Sequence, residues 1–299
     1  MEYIKLNKES GSTTRINFNN GVPYISYRIL DDIPWLKNAV STRLGGVSKD
    51  YLASMNLGFN RGDLDENVIR NHEIFANVIG VNPKNIVTGN QTHTTNVKVV
   101  TKDDCGKGIY RDRNYTDIDG LITNEKGIVL ATYYADCVPL LIVDTKNKAI
   151  GLSHSGWRGT VGKIWKSYNR EDGRTYGTKP EDIVACIGPS ICQKCYEISE
   201  EVAVQFKEAF PDNIKEILID KGNGKYQLDL WECNRINFKE AGVLPENIKV
   251  TDICTCHNTD VLFSHRGHNG KRGNIGAFYQ LYKLDNRVKD IWKMFTNMY

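Results

Sequence analysis

The segment VPLLIVDTKNKAIGLSH, residues 138–154, constrains the fold more than any other part of the chain. Two apolar runs of strand length flank a polar turn of Asp144, Thr145, Lys146 and Asn147. That pattern is an antiparallel hairpin closed by a four-residue loop. Pairing across this loop sets Val143 opposite Lys148. Stepping outward, it sets Cys137 opposite His154, with both side chains on one face and Cβ atoms ~5 Å apart.

A thiol and an imidazole that close admit three readings. They can share a zinc ion, with bonds of ~2.3 Å to sulfur and ~2.1 Å to nitrogen. They can be a nucleophile and its base. They can also be a half-buried cysteine beside a hydrogen-bonded core histidine. A third residue bears on the choice. In NIVTGNQTHTTNV, His93 follows another short β-like run and sits in a polar, Thr-rich turn, where a core histidine is less expected. A His, Cys, His set leaves the fourth zinc position to water or substrate, which is the arrangement of a catalytic rather than a structural site.

Around the hairpin, β-rich runs such as PYISYRI, NVKVV and GIVLATYY alternate with helical stretches. This predicts an α/β (α+β) fold in which a mixed β-sheet is layered with helices. Neither a repeat nor a linker divides the chain, so residues 1–299 read as a single domain. One helix is predicted from Asp65 to about Val78, stopping at Gly80, with Val68, His72, Phe75 and Ile79 on one face. A second follows Gly159. A third runs through SEEVAVQFKEAF, capped by Ser199 and stopped by Pro211, and a fourth through DLWECNRINFKEAG to Gly242. Residues 285–299 read as a short C-terminal helical extension.

The charge balance excludes some partners. With 39 basic and 36 acidic residues, the net charge of +3 supplies no field to hold nucleic acid or an anionic membrane, which leaves small ligands or proteins. The eight cysteines follow no small-scaffold spacing, and MEYIKLNKESGS has no apolar core of a signal peptide. Both features point to a cytoplasmic protein with reduced thiols. No apolar run approaches the ~18 residues of a membrane span.

The segments STRLGGVS, MNLG, NQTH, DGLIT, ADCVPLL, HSGWRGT, IGPSICQKCYEI, LDL, AGV, TDICT and FSHR occur in that order. Through them the chain resembles the bacterial YfiH/YlmD laccase-domain family over most of its length. The resemblance implies a YfiH-like (CNF1/YfiH-like) fold. It also implies a zinc-dependent purine nucleoside phosphorylase acting on adenosine, inosine and methylthioadenosine, with adenosine deaminase activity. Carried over by motif, the family's metal ligands fall on His93, Cys137 and His154. Other functions attached to the family are copper-dependent polyphenol oxidation and the editing of peptidoglycan precursors. The latter would use Cys137 as a nucleophile activated by His154, as in a hydrolase or amidase. A non-enzymatic metal-binding interaction module is the remaining alternative. Six histidines are too few for the several copper centres of a multicopper oxidase, although a Cys/His₂ site takes copper readily when it is offered. The H-x-E and P-C-x-x-C signature of zinc deaminases is absent.

Phosphorolysis requires an anion pocket. Arg158, with the N–H groups of Gly159 and Thr160 at a helix start, is suited to phosphate. Arg43, His265 and Arg266 are further candidates from family-matching segments, and each arginine has a structural ion pair as an equal alternative. Asp136, beside Cys137, is a candidate to orient a histidine or move a proton, with a plain capping or turn role as an equal alternative. After FSHR the family often has an acidic residue and a TGR segment. This chain reads GHNGKRG instead, which adds His268 and Lys271 and leaves that loop's binding role open. CQKC at 192–195 and CTC at 254–256 lack the spacing of a zinc ribbon and read as ordinary cysteines. His257 has no partner in sequence, His72 reads as a core histidine, and KGNGK at 221–225 as a hairpin turn.

Overall fold

The computed structural model describes residues 4–5 and 13–282. The expected C-terminal extension at 285–299 lies outside the described residues. In chain order the strands are β1 (Thr14–Asn19), β2 (Val22–Tyr27), β3 (Leu36–Ser41), β4 (Ile86–Thr88), β5 (Val97–Val99), β6 (Gly120–Thr123), β7 (Val129–Tyr134) and β8 (Val138–Asp144). They continue with β9 (Ala149–Ser155), β10 (Ile183–Ile187), β11 (Glu197–Ser199), β12 (Leu218–Gly222), β13 (Lys225–Leu228), β14 (Ile248–Val250) and β15 (Ile275–Leu281). The helices are α1 (Arg28–Asp31), α2 (Asp65–Ile79), α3 (Trp157–Val161), α4 (Ile164–Tyr176), α5 (Glu200–Ala209), α6 (Ile214–Ile217) and α7 (Leu230–Glu240).

The expected mixed α/β architecture is present, with its strands distributed over two six-stranded sheets and one small one. The first sheet has the order β1-β2-β3-β15-β7-β4, the second β14-β10-β8-β9-β6-β5, and the third β11-β13-β12. Side chains that alternate along a strand are sorted to opposite faces. Leu141 and Val143 of β8, with Ile150 and Leu152 of β9, point inward against Leu130, Ala277 and Tyr279 of the first sheet. Leu140 and Ile142 point outward against Trp165, Tyr168, Phe206 and Phe238 of α4, α5 and α7. The outer face of the first sheet, with Val129, Ala131 and Phe278, is covered by Phe75 and Ala76 of α2. The layers are therefore α2, sheet, sheet, helices. Because β8 is buried along its whole length, its sequence is continuously apolar rather than alternating. Each of its aliphatic side chains stabilises the fold by ~1.5–3 kcal/mol relative to exposure.

The β8–β9 hairpin forms with a register shifted by two residues from the expected one. Val138 pairs with Ser155, Pro139 with His154 and Asp144 with Ala149, so the loop is residues 145–148. Asp144 causes the shift. Its carboxylate accepts from the backbone N–H groups of Lys146 (2.9 Å) and Asn147 (2.8 Å), which makes it the base of the turn rather than part of it. A two-residue shift preserves which face each side chain occupies, so Cys137 and His154 stay on one side.

Helix α2 ends as the sequence predicts, at a left-handed Gly80, and His72 is a fully buried core residue bonded to Val68 O and Tyr133 Oη. The helix expected after Gly159 begins earlier, at Trp157, and breaks at a left-handed Lys163 into α3 and α4. Helix α5 starts after Ser199, whose side chain makes no capping bond, whereas α7 is capped by the Asp229 side chain. KGNGK is the turn of the β12–β13 hairpin. Among the described residues no helix is long and apolar enough to cross a membrane.

Candidate metal centre

Three connections bring His93, Cys137 and His154 together at one end of the sheet pair. His93 follows β4 of the first sheet, Cys137 lies in the short crossover from β7 to β8, and His154 is near the end of β9. Their donor atoms all lie within 4.8 Å of one another. Cys137 Sγ is 4.0 Å from His93 Nε2, and the two imidazoles meet edge to face with centroids 4.9 Å apart. His93 and Asp136 hold positive φ angles of 68° and 86°. Such non-glycine conformations cost ~1–3 kcal/mol and cluster at functional sites. Gly156 lies against the group. A Cβ there would be 3.1 Å from both Cys137 Sγ and His93 Cδ2.

Asp119, directly before β6, builds the rest of the centre. Its fully buried carboxylate receives the His154 Nδ1–H at 2.9 Å and the His93 backbone N–H at 3.1 Å on one oxygen. The other oxygen receives the N–H groups of Thr92 (3.1 Å) and Thr94 (2.8 Å) and the Thr94 hydroxyl (3.0 Å). Burial alone would raise this carboxyl, but the bond from His154 and the backbone donors hold it below its ordinary value. Asp119 holds the His154 ring through Nδ1–H, so Nε2 is the nitrogen left for a ligand. Against the effect of burial, the Cys137 thiol and Asp119 raise His154 to about 9, and a metal would take the place of the Nε2 proton. Burial pushes the Cys137 thiol up. The neighbouring His154 charge, with hydrogen bonds from His154 and His93, outweighs that effect and brings it down to about 6.

Of the two roles open to Asp136, the structure shows the tie within loops and not the orientation of a histidine. Its two oxygens accept from the Thr255 hydroxyl and the Arg266 N–H, each at 2.7 Å, which fixes the crossover rather than an imidazole. That role falls to Asp119, which DGLIT contains but which nothing in the local sequence marks.

A cavity of about 650 Å³ opens onto the three residues, with Phe59, Tyr110 and Tyr133 in its walls. None of the expected anion-binding side chains lines it. Arg43 lies over the Phe263 ring and donates to the carbonyls of Ala53 and Thr259, so it holds loops together. Arg158 is exposed over Trp157, and the Thr160 N–H is taken by Gly156 O. Arg266 clamps Glu197 O through two N–H groups, and His265 is exposed beside it. The cavity is lined instead by Arg61, Arg111, Arg113 and Arg272. Arg111 is spent on the carbonyls of Asp103 and Cys105, and Arg113 on Thr88. Arg61 and Arg272 both donate to the Asn274 amide oxygen, at 3.0 and 2.7 Å, Arg272 also reaches Gly273 O at 3.4 Å, and neither meets a carboxylate among the described residues. Arg272 Nε is buried without a partner among them. Burial and the Arg61 charge lower the Arg272 guanidinium to about 10, a signature of two cations facing one space. Sequence reasoning missed this pair because the two arginines are 211 positions apart.

A second group of donors also differs from expectation. Cys192, Cys195, Cys254 and His257 place one ligand atom each within 4.8 Å of the others, so these cysteines are clustered and His257 has partners.

Residues 37–282 match the sequence profile of a family described as multi-copper polyphenol oxidoreductase laccase. The purine nucleoside phosphorylase YlmD of Bacillus subtilis is 36% identical over 242 residues, covering 80% of this chain and 86% of that protein. The adenosine deaminase RL5 of an unknown prokaryotic organism is 34% identical over 247 residues, covering 80% and 93%. The crystal structure of the hypothetical protein YfiH of Bacillus licheniformis superposes with a TM-score of 0.84 at 29% identity, covering 89% of this chain and 98% of that one.

Proposed function

The chain belongs to the multi-copper polyphenol oxidoreductase laccase family, and from that premise we propose that it is a zinc-dependent purine nucleoside phosphorylase that also deaminates adenosine. Its substrates in this reading are adenosine, inosine and methylthioadenosine, with phosphate. One observation carries it: a single cavity contains both the His93, Cys137, His154 group and the unneutralised Arg61–Arg272 pair.

The donor set suits a metal ion. It offers two imidazole nitrogens and a thiol inclined to ionise, and it leaves a fourth direction open to the cavity. Two imidazoles and one thiolate suit zinc, and they accept copper when copper is offered. When bound, the ion supplies Lewis acidity at the open position. Arg61 and Arg272 hold phosphate through charge-assisted hydrogen bonds, and the aromatic walls receive the purine. A phosphate oxygen attacks C1′ as the bond to the base breaks, and the base leaves with the electron pair and takes up a proton. In deamination, water adds at C6 of the same seated purine, the C6–N bond to the exocyclic amine breaks, and ammonia leaves carrying the proton given up by the water. The activity belongs to what we read as one cytoplasmic domain, where eight unpaired thiols stay reduced.

The test measures hypoxanthine release from inosine against phosphate concentration. Arg272→Ala is expected to weaken phosphate use by roughly 10- to 100-fold, the equivalent of one or two charge-assisted bonds at ~1.5–3 kcal/mol in total. Adenosine deamination, which needs no phosphate, should persist. Turnover that survives complete metal removal, with Cys137 alkylation blocked by substrate, would instead make Cys137 a nucleophile and the protein a Cys-His hydrolase.

A further inference from the structure

Two short turns far apart in sequence carry the same ligand spacing. Cys192 and Cys195 bracket one, Cys254 and His257 the other, each with two residues between. Each contains a single 3₁₀ turn, Gln193–Cys195 and Cys256–Asn258. In the first turn the Cys195 N–H closes the 3₁₀ turn on Cys192 O at 3.0 Å. An N–H···S bond crosses between the turns, from Cys192 N to Cys254 Sγ at 3.3 Å. The turns are registered by a β-bridge between Ser190 and Cys254 and by Thr255 N donating to Ser190 O at 3.0 Å.

The four donors lie close enough together to share one ion. Cys195 Sγ is 3.1 Å from His257 Nε2 and Cys192 Sγ 3.8 Å from His257 Nδ1, and one ligand atom from each of the four residues falls within 4.8 Å of the others. Bonds of ~2.1–2.3 Å to a tetrahedral zinc would separate the donors by roughly 3.4–3.8 Å, within reach of small side-chain rotations. Cys192 and Cys254 are buried, Cys195 is half-buried, and only His257 is exposed. The four cysteines of this region, including Cys256, are all unpaired.

We propose that Cys192, Cys195, Cys254 and His257 form a closed, four-ligand structural zinc site separate from the open centre. Its place in the fold gives it a purpose. Thr255, between two of the ligands, donates to Asp136 at 2.7 Å, and Asp136 is the residue before Cys137. A zinc ion at the two turns therefore braces the β7–β8 crossover from behind. Three thiolates and an imidazole leave no position for substrate, so the site contributes stability rather than chemistry.

The experiment uses the full chain carrying Cys137→Ala, which disables the open centre and leaves the four proposed ligands intact. The folded variant, checked by circular dichroism, should retain one zinc per chain after dialysis. Its cobalt form should keep about three-quarters of the wild-type sulfur-to-cobalt absorption, because three of the four Co–S bonds remain. Cys195→Ser should lose one zinc per chain and unfold at lower temperature, while keeping the metal of the open centre. A folded Cys137→Ala protein that holds no zinc, or mass spectrometry showing a Cys192–Cys195 disulfide in zinc-replete protein, overturns the proposal. Neither result depends on whether nucleosides are turned over.

Discussion

Asp119→Asn separates a residue that builds the metal centre from one that merely fills space. The carboxylate accepts five hydrogen bonds, two on one oxygen and three on the other. An amide of the same shape must turn its NH₂ toward one of these groups. Facing the Thr92 and Thr94 donors, it would strand two part-buried backbone N–H groups, each at up to ~1–3 kcal/mol. Facing His93 and His154, it strands one and can donate to His154 Nδ1, provided the imidazole shifts its proton to Nε2. The second orientation costs less by about one stranded donor, and it places a proton on the nitrogen that a metal needs. Metal affinity should therefore fall about 10- to 100-fold, the usual scale for losing an outer carboxylate of a histidine ligand. That is ~1.4–2.7 kcal/mol, beside a stability loss of ~1–3 kcal/mol from the stranded N–H. Competition against a chromophoric chelator measures the first, and urea unfolding of the metal-free protein measures the second. A variant that loses stability yet binds metal as tightly as the wild type would show that Asp119 does not set the His154 tautomer.

Gly156→Ala places a methyl 3.1 Å from both Cys137 Sγ and His93 Cδ2, so metal binding should weaken by tenfold or more with the melting temperature nearly unchanged. Equal loss of both would make the glycine structural. Gly151→Ala is the opposite case, since its Cβ would lie 1.7 Å from Tyr168 Cε2 in the core, where Tyr168 stacks on Trp165. It should cost about 3 kcal/mol by urea unfolding, and a cost below 1 kcal/mol would mean that α4 can shift off the sheet. Burial, only partly opposed by the bond to Val68 O, lowers His72 to about 4 from an ordinary 6.5. The unfolded chain takes up that proton first, so this contribution to stability is complete above pH 6.5 and is lost as pH falls toward 4, about 3 kcal/mol in all. The wild type should therefore lose more stability than His72→Gln between pH 7 and pH 4, and identical slopes would refute the assignment.

The elements most legible in the sequence are those whose stability is local. Helix α2 announces itself by carboxylates in its first turn, one apolar face and a terminal glycine, and it forms over Asp65–Ile79 as read. The β8–β9 hairpin was legible as a hairpin, but its register was not. Whether Asp144 belongs to the strand or the loop depends on which N–H groups its carboxylate finds. Helix α3 defied its reading because Lys163 adopts a left-handed conformation that no residue type signals.

In the site the same division holds. The sequence by itself puts Cys137 and His154 on one face of a hairpin, since a two-residue error in register leaves every side chain on its face, and ordered motifs add His93. Counting cannot show that Asp119 reaches across to two histidines. Nor can it show that Arg61 and Arg272 share Asn274, or that Cys192 and Cys254 meet through a bridge at Ser190. Those contacts are made by loops whose ends are held apart in sequence and together in space by the stacking of two sheets. Periodicity and turn chemistry act over a few residues and so determined which segments are strands, helices and turns. Which loops converge on one cavity is decided only when the sheets bury their shared face, because that packing energy belongs to no single segment.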